Sequence, residues 1–366
     1  MHNTLPDLAW YELLTYSELI PKTDLIPRKK TELNNHFIDW KKWLMELKML
    51  SAHLFSWILT GLLFVVHTKA AEWSYVDPSS WYKEYPFCSG YYQSPIDINY
   101  KDSVYAPKLG QITITNLSKV EQTNYTVINN GHTVEVRFND KQWEISVGSD
   151  GDPYYPTQMH FHWGGPNRGG SEHLLGGLRY AMETHIVSYN GRLFKSKEEA
   201  VSGPNGLAVF GILHKLEEFA QTDQTQFGKM GTFEGALASI TAAKQSKSIP
   251  AFDLGALLGQ VETTQYYRYQ GSLTTPPCTQ NVMWTVFTKS VPVKPAQLEL
   301  LRSLRTSKSS PLQDNYRPVQ PLNDPHSPLP RTVYRTMSAA ARFTHSWWSF
   351  VLLSFLARCS HDILWG

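Results

Sequence analysis

His160 and His162 stand two residues apart in QMHFHWG, residues 158–164. Alternate side chains of a β-strand share a face, so these two imidazoles would project together while Met159, Phe161 and Trp163 face the other way. His185 lies in a second strand-like run, METHIVSYN at 182–190, where Glu183 and Val187 have the same parity. Three neutral imidazoles can hold Zn2+ and leave its fourth tetrahedral position open, which is the catalytic arrangement; a structural site would close all four, usually with cysteines. Water in the open position has its pKa lowered from about 15.7 to about 7, so the chemistry on offer is a hydroxide nucleophile at neutral pH. A His-x-His pair alone is more often two ordinary strand residues, and the third histidine is what lifts it above that.

The elements that must position these rings are short strands. The chain has 366 residues, of which 42% are hydrophobic and 13% aromatic, enough to bury a large core. Its 34 basic and 32 acidic residues leave a net charge of only +2, with no long basic run, which argues against nucleic acid as a partner. The chain has no Gly-rich phosphate loop, internal repeat or low-complexity tract. Between residues 72 and 335 the runs QITITN, TVEVRF, QWEISVG, QMHFHW, METHIVSYN, LAVFGIL and VMWTVF are separated by turn signals such as NNG, SDGDP and GGPNRGG. Helical spacing is confined to FEGALASITAAKQ and PAQLELLRSL. No linker divides this region, so a single mainly-β domain over 72–335 is expected.

The two ends read differently. LSAHLFSWILTGLLFVV at 50–66 is preceded by Lys41, Lys42 and Lys48 and followed by Ala70 and Ala71, the pattern of a secretory signal. It falls short of the roughly 20 residues of a spanning helix, and residues 49–71 are expected to be a signal peptide or an uncleaved signal anchor. Residues 1–48 then form an extension that is unstructured or a gene-model artefact, since initiation at Met45 or Met49 would bring the signal to the start. In the tail, 336–366, small residues Ser338 to Ala341 precede the apolar SWWSFVLLSFLA at 346–357, a pattern shared by lipid-anchor signals and by frayed amphipathic tails.

QMHFHWG, GSEH at 170–173, ETHIVSYN, GSLTTPPC at 271–278 and NYRPVQPLN at 315–323 resemble the α-class carbonic anhydrases in order and spacing, through essentially all of 72–325. The resemblance implies one large twisted, mostly antiparallel sheet with a few short helices, and zinc at the bottom of a conical cavity. The reaction it implies is reversible hydration of CO2 to bicarbonate and a proton by zinc-bound hydroxide, the work of a zinc lyase. His160, His162 and His185 would bind Zn2+. Gln158 and Glu183 match positions that orient two of those rings through their second nitrogen, and the main-chain carbonyl of Asn315 would do so for His162. The Thr274 hydroxyl would donate to Glu172, and its N–H would hold one oxygen of bicarbonate beside Thr275. Val187, Val209, Leu273, Val282 and Trp284 would form the apolar wall that receives CO2.

His132, in NNGHTVEV, matches the family's proton shuttle, an imidazole able to accept and release a proton near neutral pH. Asn130 and Tyr75 match positions that order the intervening waters. Trp73, Trp81, Tyr266, Tyr267 and Tyr269 match family aromatics that pack, and His173 matches a structural hydrogen-bonding position. Glu135 departs from the pattern, standing where many members carry an amide; a carboxylate there would hold a cation, perturb His132 or repel anionic inhibitors. By the same resemblance Cys88 and Cys278 would form the disulfide of secreted and membrane-bound members, leaving Cys359 in the tail. Asn116 in NLS and Asn124 in NYT fit the glycosylation sequon. The expected setting is extracellular, either secreted or on the outer face of the plasma membrane, as a monomer or homodimer whose partners are CO2, bicarbonate and water. Two rivals are a relative that has lost activity and serves as a binding ectodomain, against which all three histidines are present, and a zinc esterase, against which the apolar wall is narrow.

Overall fold

The structure, a computed structural model, describes residues 73–118, 123–148 and 151–338, all within one compact unit, Ala71–Gly366. The signal-like stretch 50–66, the extension 1–48, the tail stretch 346–357 and Cys359 lie outside the described residues. Among the described residues no helix is long and apolar enough to cross a membrane.

The described strands, in chain order, begin with β1 (Asp97–Ile98), β2 (Val104–Tyr105), β3 (Ile112–Asn116), β4 (Asn124–Asn129), β5 (Val134–Arg137), β6 (Trp143–Val147), β7 (Tyr154–Trp163) and β8 (Leu174–Leu175). They continue with β9 (Leu178–Arg179), β10 (Met182–Asn190), β11 (Leu207–Leu216), β12 (Ser246–Pro250), β13 (Tyr266–Gly271), β14 (Val282–Phe287), β15 (Val291–Val293) and β16 (Tyr334–Arg335). Thirteen of these form one twisted sheet whose main path runs β12-β4-β5-β7-β10-β11-β14-β13-β16-β2, with β3, β6 and β15 attached beside it. β1, β8 and β9 form a small second sheet. Most pairings are antiparallel, but β11 runs parallel to β14 and β15, β16 to β2, and β1 to β8 in the small sheet. A parallel neighbour requires a long return of the chain, and the segment between β11 and β14 supplies it with β12, β13 and short helices.

β7 and β10 lie side by side at the centre of this path, and their register sets everything that follows. His185 is opposite His160, Glu183 opposite His162, and Val187 opposite Gln158. Because facing residues of an antiparallel pair share a face, one stretch of sheet presents all six side chains together. On the other face Met159, Phe161, Trp163 and Ile186 are fully buried in the larger apolar core with Phe210 and Ile212 of β11. A second core, containing Val187, Val209, Leu207, Tyr269 and Trp284, covers the histidine face.

Both helical patterns produce helices, Phe233–Ser239 and Pro295–Arg302. The first stops at Ser239, ahead of the β-branched pair Ile240 and Thr241, and so is shorter than the apolar spacing predicts. The second starts at a proline, whose fixed φ and missing N–H suit the first helical turn. Strands β4, β12 and β13, and the two- and three-residue strands β1, β2, β8, β9, β15 and β16, were not among the expected runs. β13 reads YYRYQG and is buried on both faces, so it lacks the alternation that marks a half-exposed strand.

Candidate functional site

The ring orientations at the β7–β10 centre are fixed by partners that can only accept. His160 Nδ1 lies 3.0 Å from Gln158 Oε1, His162 Nδ1 lies 2.7 Å from the main-chain carbonyl of Asn315, and His185 Nε2 lies 2.8 Å from Glu183 Oε1. A carbonyl or carboxylate oxygen accepts, so each of these nitrogens carries the proton and donates it. The opposite nitrogens, His160 Nε2, His162 Nε2 and His185 Nδ1, are therefore left with free lone pairs. Ligand atoms of the three rings lie within 4.8 Å of one another. His162 Nε2 and His185 Nδ1 are 3.0 Å apart, two lone pairs in contact with no hydrogen between them.

Burial reinforces the neutral state. It pushes the pKa of His160 well below the ordinary histidine value, with the neighbouring rings and Lys197 acting in the same direction. Burial also lowers His162, against the attraction of Glu172. For Glu183 burial opposes ionisation, but His173 and His185 outweigh it and hold the carboxyl well below the usual carboxylate range. Glu183 Oε1 is shared with His173 Nδ1 at 2.7 Å, and Oε2 accepts from the N–H groups of Glu172 and His173 at 2.9 and 2.8 Å. His173 continues to the Tyr269 hydroxyl, which donates to Ser94 Oγ. A second grouping of metal-ligating types, His173, Glu183 and His185, is thus already paired within itself.

Gly211, opposite His185 on β11, makes room for this carboxylate. A Cβ at that position would come within 3.0 Å of Glu183 Oε1. Nothing in the spacing of the sequence marks that mid-strand glycine as part of the site.

Glu172 differs from the expectation in one respect. Its Oε1 accepts the N–H of Arg317 at 2.8 Å, while its fully buried Oε2 has no hydrogen-bond partner and lies 3.5 Å from His162 Nε2 and 3.9 Å from His185 Nδ1. Among the described residues no hydrogen bond joins it to the Thr274 hydroxyl, because the carboxylate is tied at one oxygen to the Arg317 backbone and turned at the other toward the rings. The donor set therefore consists of three imidazole lone pairs with an unpartnered carboxyl oxygen beside them. That set lacks protons and suits a divalent cation bound through nitrogen, as Zn2+ is.

A cavity of about 170 Å3 opens on His160 and His185 and is lined by Val187, Val209, Leu273, Thr274, Thr275 and Trp284. Val282, expected in that wall, is not part of it. It is fully buried, paired with Leu207 and Gly271 beneath the lining. Leu207, Val201 and Lys197 line the cavity instead. Sequence reasoning missed Lys197 and Val201 because they lie on the helix Lys197–Ser202, a segment with no metal-ligand or strand signal, and it missed Leu207, although that residue opens the expected strand LAVFGIL, because nothing in the run marks its first residue as facing the cavity.

The loop carrying Thr274 is tethered by Ser94, whose N–H donates to Ser272 Oγ while its Oγ accepts the Ser272 N–H, and by Trp284 Nε1, which donates to the Ser272 carbonyl. Cys278, at the end of that loop, is disulfide-bonded to Cys88. Arg317 ties the same region to Glu172, since its guanidinium donates to the carbonyls of Cys88 and Ser94.

His132 lines a different cavity, of about 290 Å3, together with Trp73, Tyr75, Asp314 and Asn315. Its ring stacks on Trp73, with centroids 3.9 Å apart and planes 11° from parallel. Asn130 uses its side-chain oxygen to accept the N–H groups of His132 and Thr133, both at 2.9 Å, so it fixes the turn that carries the imidazole. Burial and the nearby Glu172 push the Tyr75 hydroxyl well above its ordinary pKa, keeping it neutral. The carboxylate of Glu135 is held by Arg137 Nε at 2.6 Å, two residues along the same strand. Asn116 and Asn124 are both exposed.

A mixed sheet carrying three inward imidazoles on adjacent strands defines the class of fold, and comparison with known proteins gives its family. A family model described as eukaryotic-type carbonic anhydrase matches residues 76–327, and the chain belongs to that family. It is 38% identical to carbonic anhydrase 6 of Bos taurus over 269 residues, covering 71% of this chain and 81% of the relative. It is 32% identical to human carbonic anhydrase 12 over 278 residues, 73% of this chain and 74% of the relative. It is also 33% identical to the human carbonic anhydrase-related protein over 267 residues, 70% of this chain and 89% of the relative.

Proposed function

We propose that this chain catalyses the reversible hydration of CO2 to bicarbonate and a proton, with Zn2+ held by His160, His162 and His185. Family membership supports the reaction class. The observation that carries the metal is the trio of lone pairs at His160 Nε2, His162 Nε2 and His185 Nδ1, each left free because the opposite nitrogen donates to an oxygen. Bound there, the ion would lower the pKa of water to about 7 and so supply the nucleophile. Gln158, Asn315 and Glu183 hold the ring tautomers that leave those lone pairs available.

The remaining roles fall to the chain's own groups. Glu172, with one oxygen free of partners, would accept a hydrogen bond from the Thr274 hydroxyl and so orient it. Thr274 and Thr275 line the cavity, and the Thr274 N–H would hold one oxygen of bicarbonate there. CO2, uncharged and apolar, would lie against Val187, Val209, Leu273 and Trp284. His132, on its own cavity and stacked on Trp73, would carry the proton to solvent, with Tyr75 and Asn130 holding its surroundings.

The Cys88–Cys278 disulfide, which an oxidising compartment maintains, supports an extracellular setting. The exposed Asn116 and Asn124 would then be open to glycosylation. The deciding experiment is a CO2-hydration assay on purified protein with its zinc content measured, repeated after chelation. Rapid hydration that vanishes with the metal and returns with Zn2+ is the expected result. Stoichiometric zinc without hydration would favour a binding domain instead.

A further inference from the structure

The cavity beside His160 and His185 has an apolar wall of Val187, Val201, Leu207, Val209, Leu273 and Trp284, and one ammonium, that of Lys197, among its lining groups. Lys197 is half-buried at the first position of the helix Lys197–Ser202, whose start is fixed by Ser196 Oγ accepting the Glu199 N–H. Among the described residues its ammonium makes no ion pair or hydrogen bond. The two acids that follow it are exposed, and Glu199 is turned back to accept the N–H of Lys195. Lys197 lines the same cavity as His160 and His185, two of the three facing imidazoles. Glu198 is the acid that interacts with this ammonium electrostatically, but it is exposed, and the ammonium makes no direct pair, so a cation on an apolar cavity wall still attracts an anion that enters the cavity.

We propose that Lys197 is a specificity-determining residue that makes this site bind small monovalent oxyanions, bicarbonate and short carboxylates, more tightly than its apolar wall alone would. The inference rests on the reading of the site as a zinc-dependent carbonic anhydrase, in which bicarbonate is product or substrate according to direction. CO2 carries no charge and gains nothing from the ammonium, whereas bicarbonate is drawn in and retained. The side chain therefore biases the enzyme toward holding the charged partner of the reaction.

The test is calorimetric titration of the zinc-loaded full chain with bicarbonate and, separately, acetate, at low and high salt, for the native protein, K197M and K197R. K197M is expected to weaken bicarbonate binding by about three- to tenfold at low salt and to lose most of the salt dependence, while K197R stays within about twofold of native. Thermal midpoints and zinc content of each variant confirm folded, loaded protein. Rescue by arginine separates a charge effect from a packing effect, which arginine would not restore. Equal bicarbonate affinity and equal salt dependence in native protein and K197M overturn the proposal, whatever acetate does. Failure of the catalytic reading shows itself separately, as absent zinc or absent CO2 hydration in the native protein before any variant is compared.

Discussion

His185 in β10 and His214 in β11 lie on neighbouring strands and are equally inaccessible to solvent. The first has one nitrogen donating to Glu183 and the other turned toward His162 and the free oxygen of Glu172. The second faces Thr184 Oγ1 at 3.0 Å through Nε2, and its Nδ1 has no hydrogen-bond partner. Since the Thr184 hydroxyl donates to Gln226 Oε1, it must accept from His214. Burial lowers the pKa of His214 to about 3, and it lowers His160 and His162 too. Burial and a depressed pKa therefore do not separate a metal centre from a packed histidine; convergence of lone pairs with a fixed tautomer does.

The largest effect that contrast predicts comes from H185A. Removing one of three converging nitrogens should abolish stoichiometric zinc and lower CO2 hydration by about a thousandfold or more. H214L, which empties an equally buried position, should leave zinc content and rate within about twofold of native. If the two variants lose zinc alike, burial of polar groups and not convergence is what holds the centre together. E183Q comes next. It keeps a side chain of the same size but removes the charge shared by His173 and His185, and zinc affinity should fall about 10- to 100-fold as measured by competition with a chelator.

The same contrast explains what could be seen in advance. His160 and His162 were legible because strand parity puts them on one face, His185 because a second strand-like run and the family resemblance supplied the third ring, and the β7–β10 register does bring those faces together. Seven strand runs were legible, some such as TVEVRF by alternation and others, LAVFGIL and VMWTVF, as short unbroken apolar runs of strands buried on both faces. β13 was not, because Arg268 and Gln270 interrupt its buried aromatics and leave neither an alternation nor an unbroken apolar run. The cavity wall was legible only in part. Val282 has the same apolar character as Val209, and only the three-dimensional path of the chain places one in the lining and the other beneath it. Lys197 and Gly211 were invisible, one because an isolated lysine carries no pattern, the other because its role is to leave space. The free oxygen of Glu172 likewise depends on Arg317, far away in sequence.

His132 sharpens the comparison from the other side, as a ring outside the buried cluster, held by stacking on Trp73 and by an Asn130-capped turn. H132A should retain full zinc and lose about 10- to 100-fold in turnover in dilute buffer, with recovery when a small imidazole buffer is added. A turnover that does not respond to added buffer would place the proton path elsewhere.

The smallest effect concerns stability and tests the packed histidine directly. With its folded pKa near 3 against an ordinary value of about 6.5, His214 binds fewer protons in the native than in the unfolded state between those pH values. Stability from this neutral ring is thus complete above about pH 6.5 and is lost as pH falls toward 3, by up to roughly 1.4 kcal/mol per unit. Glu183 acts lower, its contribution being present above the ordinary carboxylate value and lost as pH falls through its depressed folded pKa. In H214L the His214 part of the slope disappears. At pH 7 the variant should lie within about 1 kcal/mol of native, because the lost Thr184 hydrogen bond is offset by removal of the unpartnered Nδ1. Between pH 7 and 5 it should gain about 2 kcal/mol on the native protein in urea unfolding. Parallel pH profiles for the two would mean that His214 takes up its proton as readily in the fold as in the unfolded chain, and that the Nδ1 position is wetter than its surroundings allow.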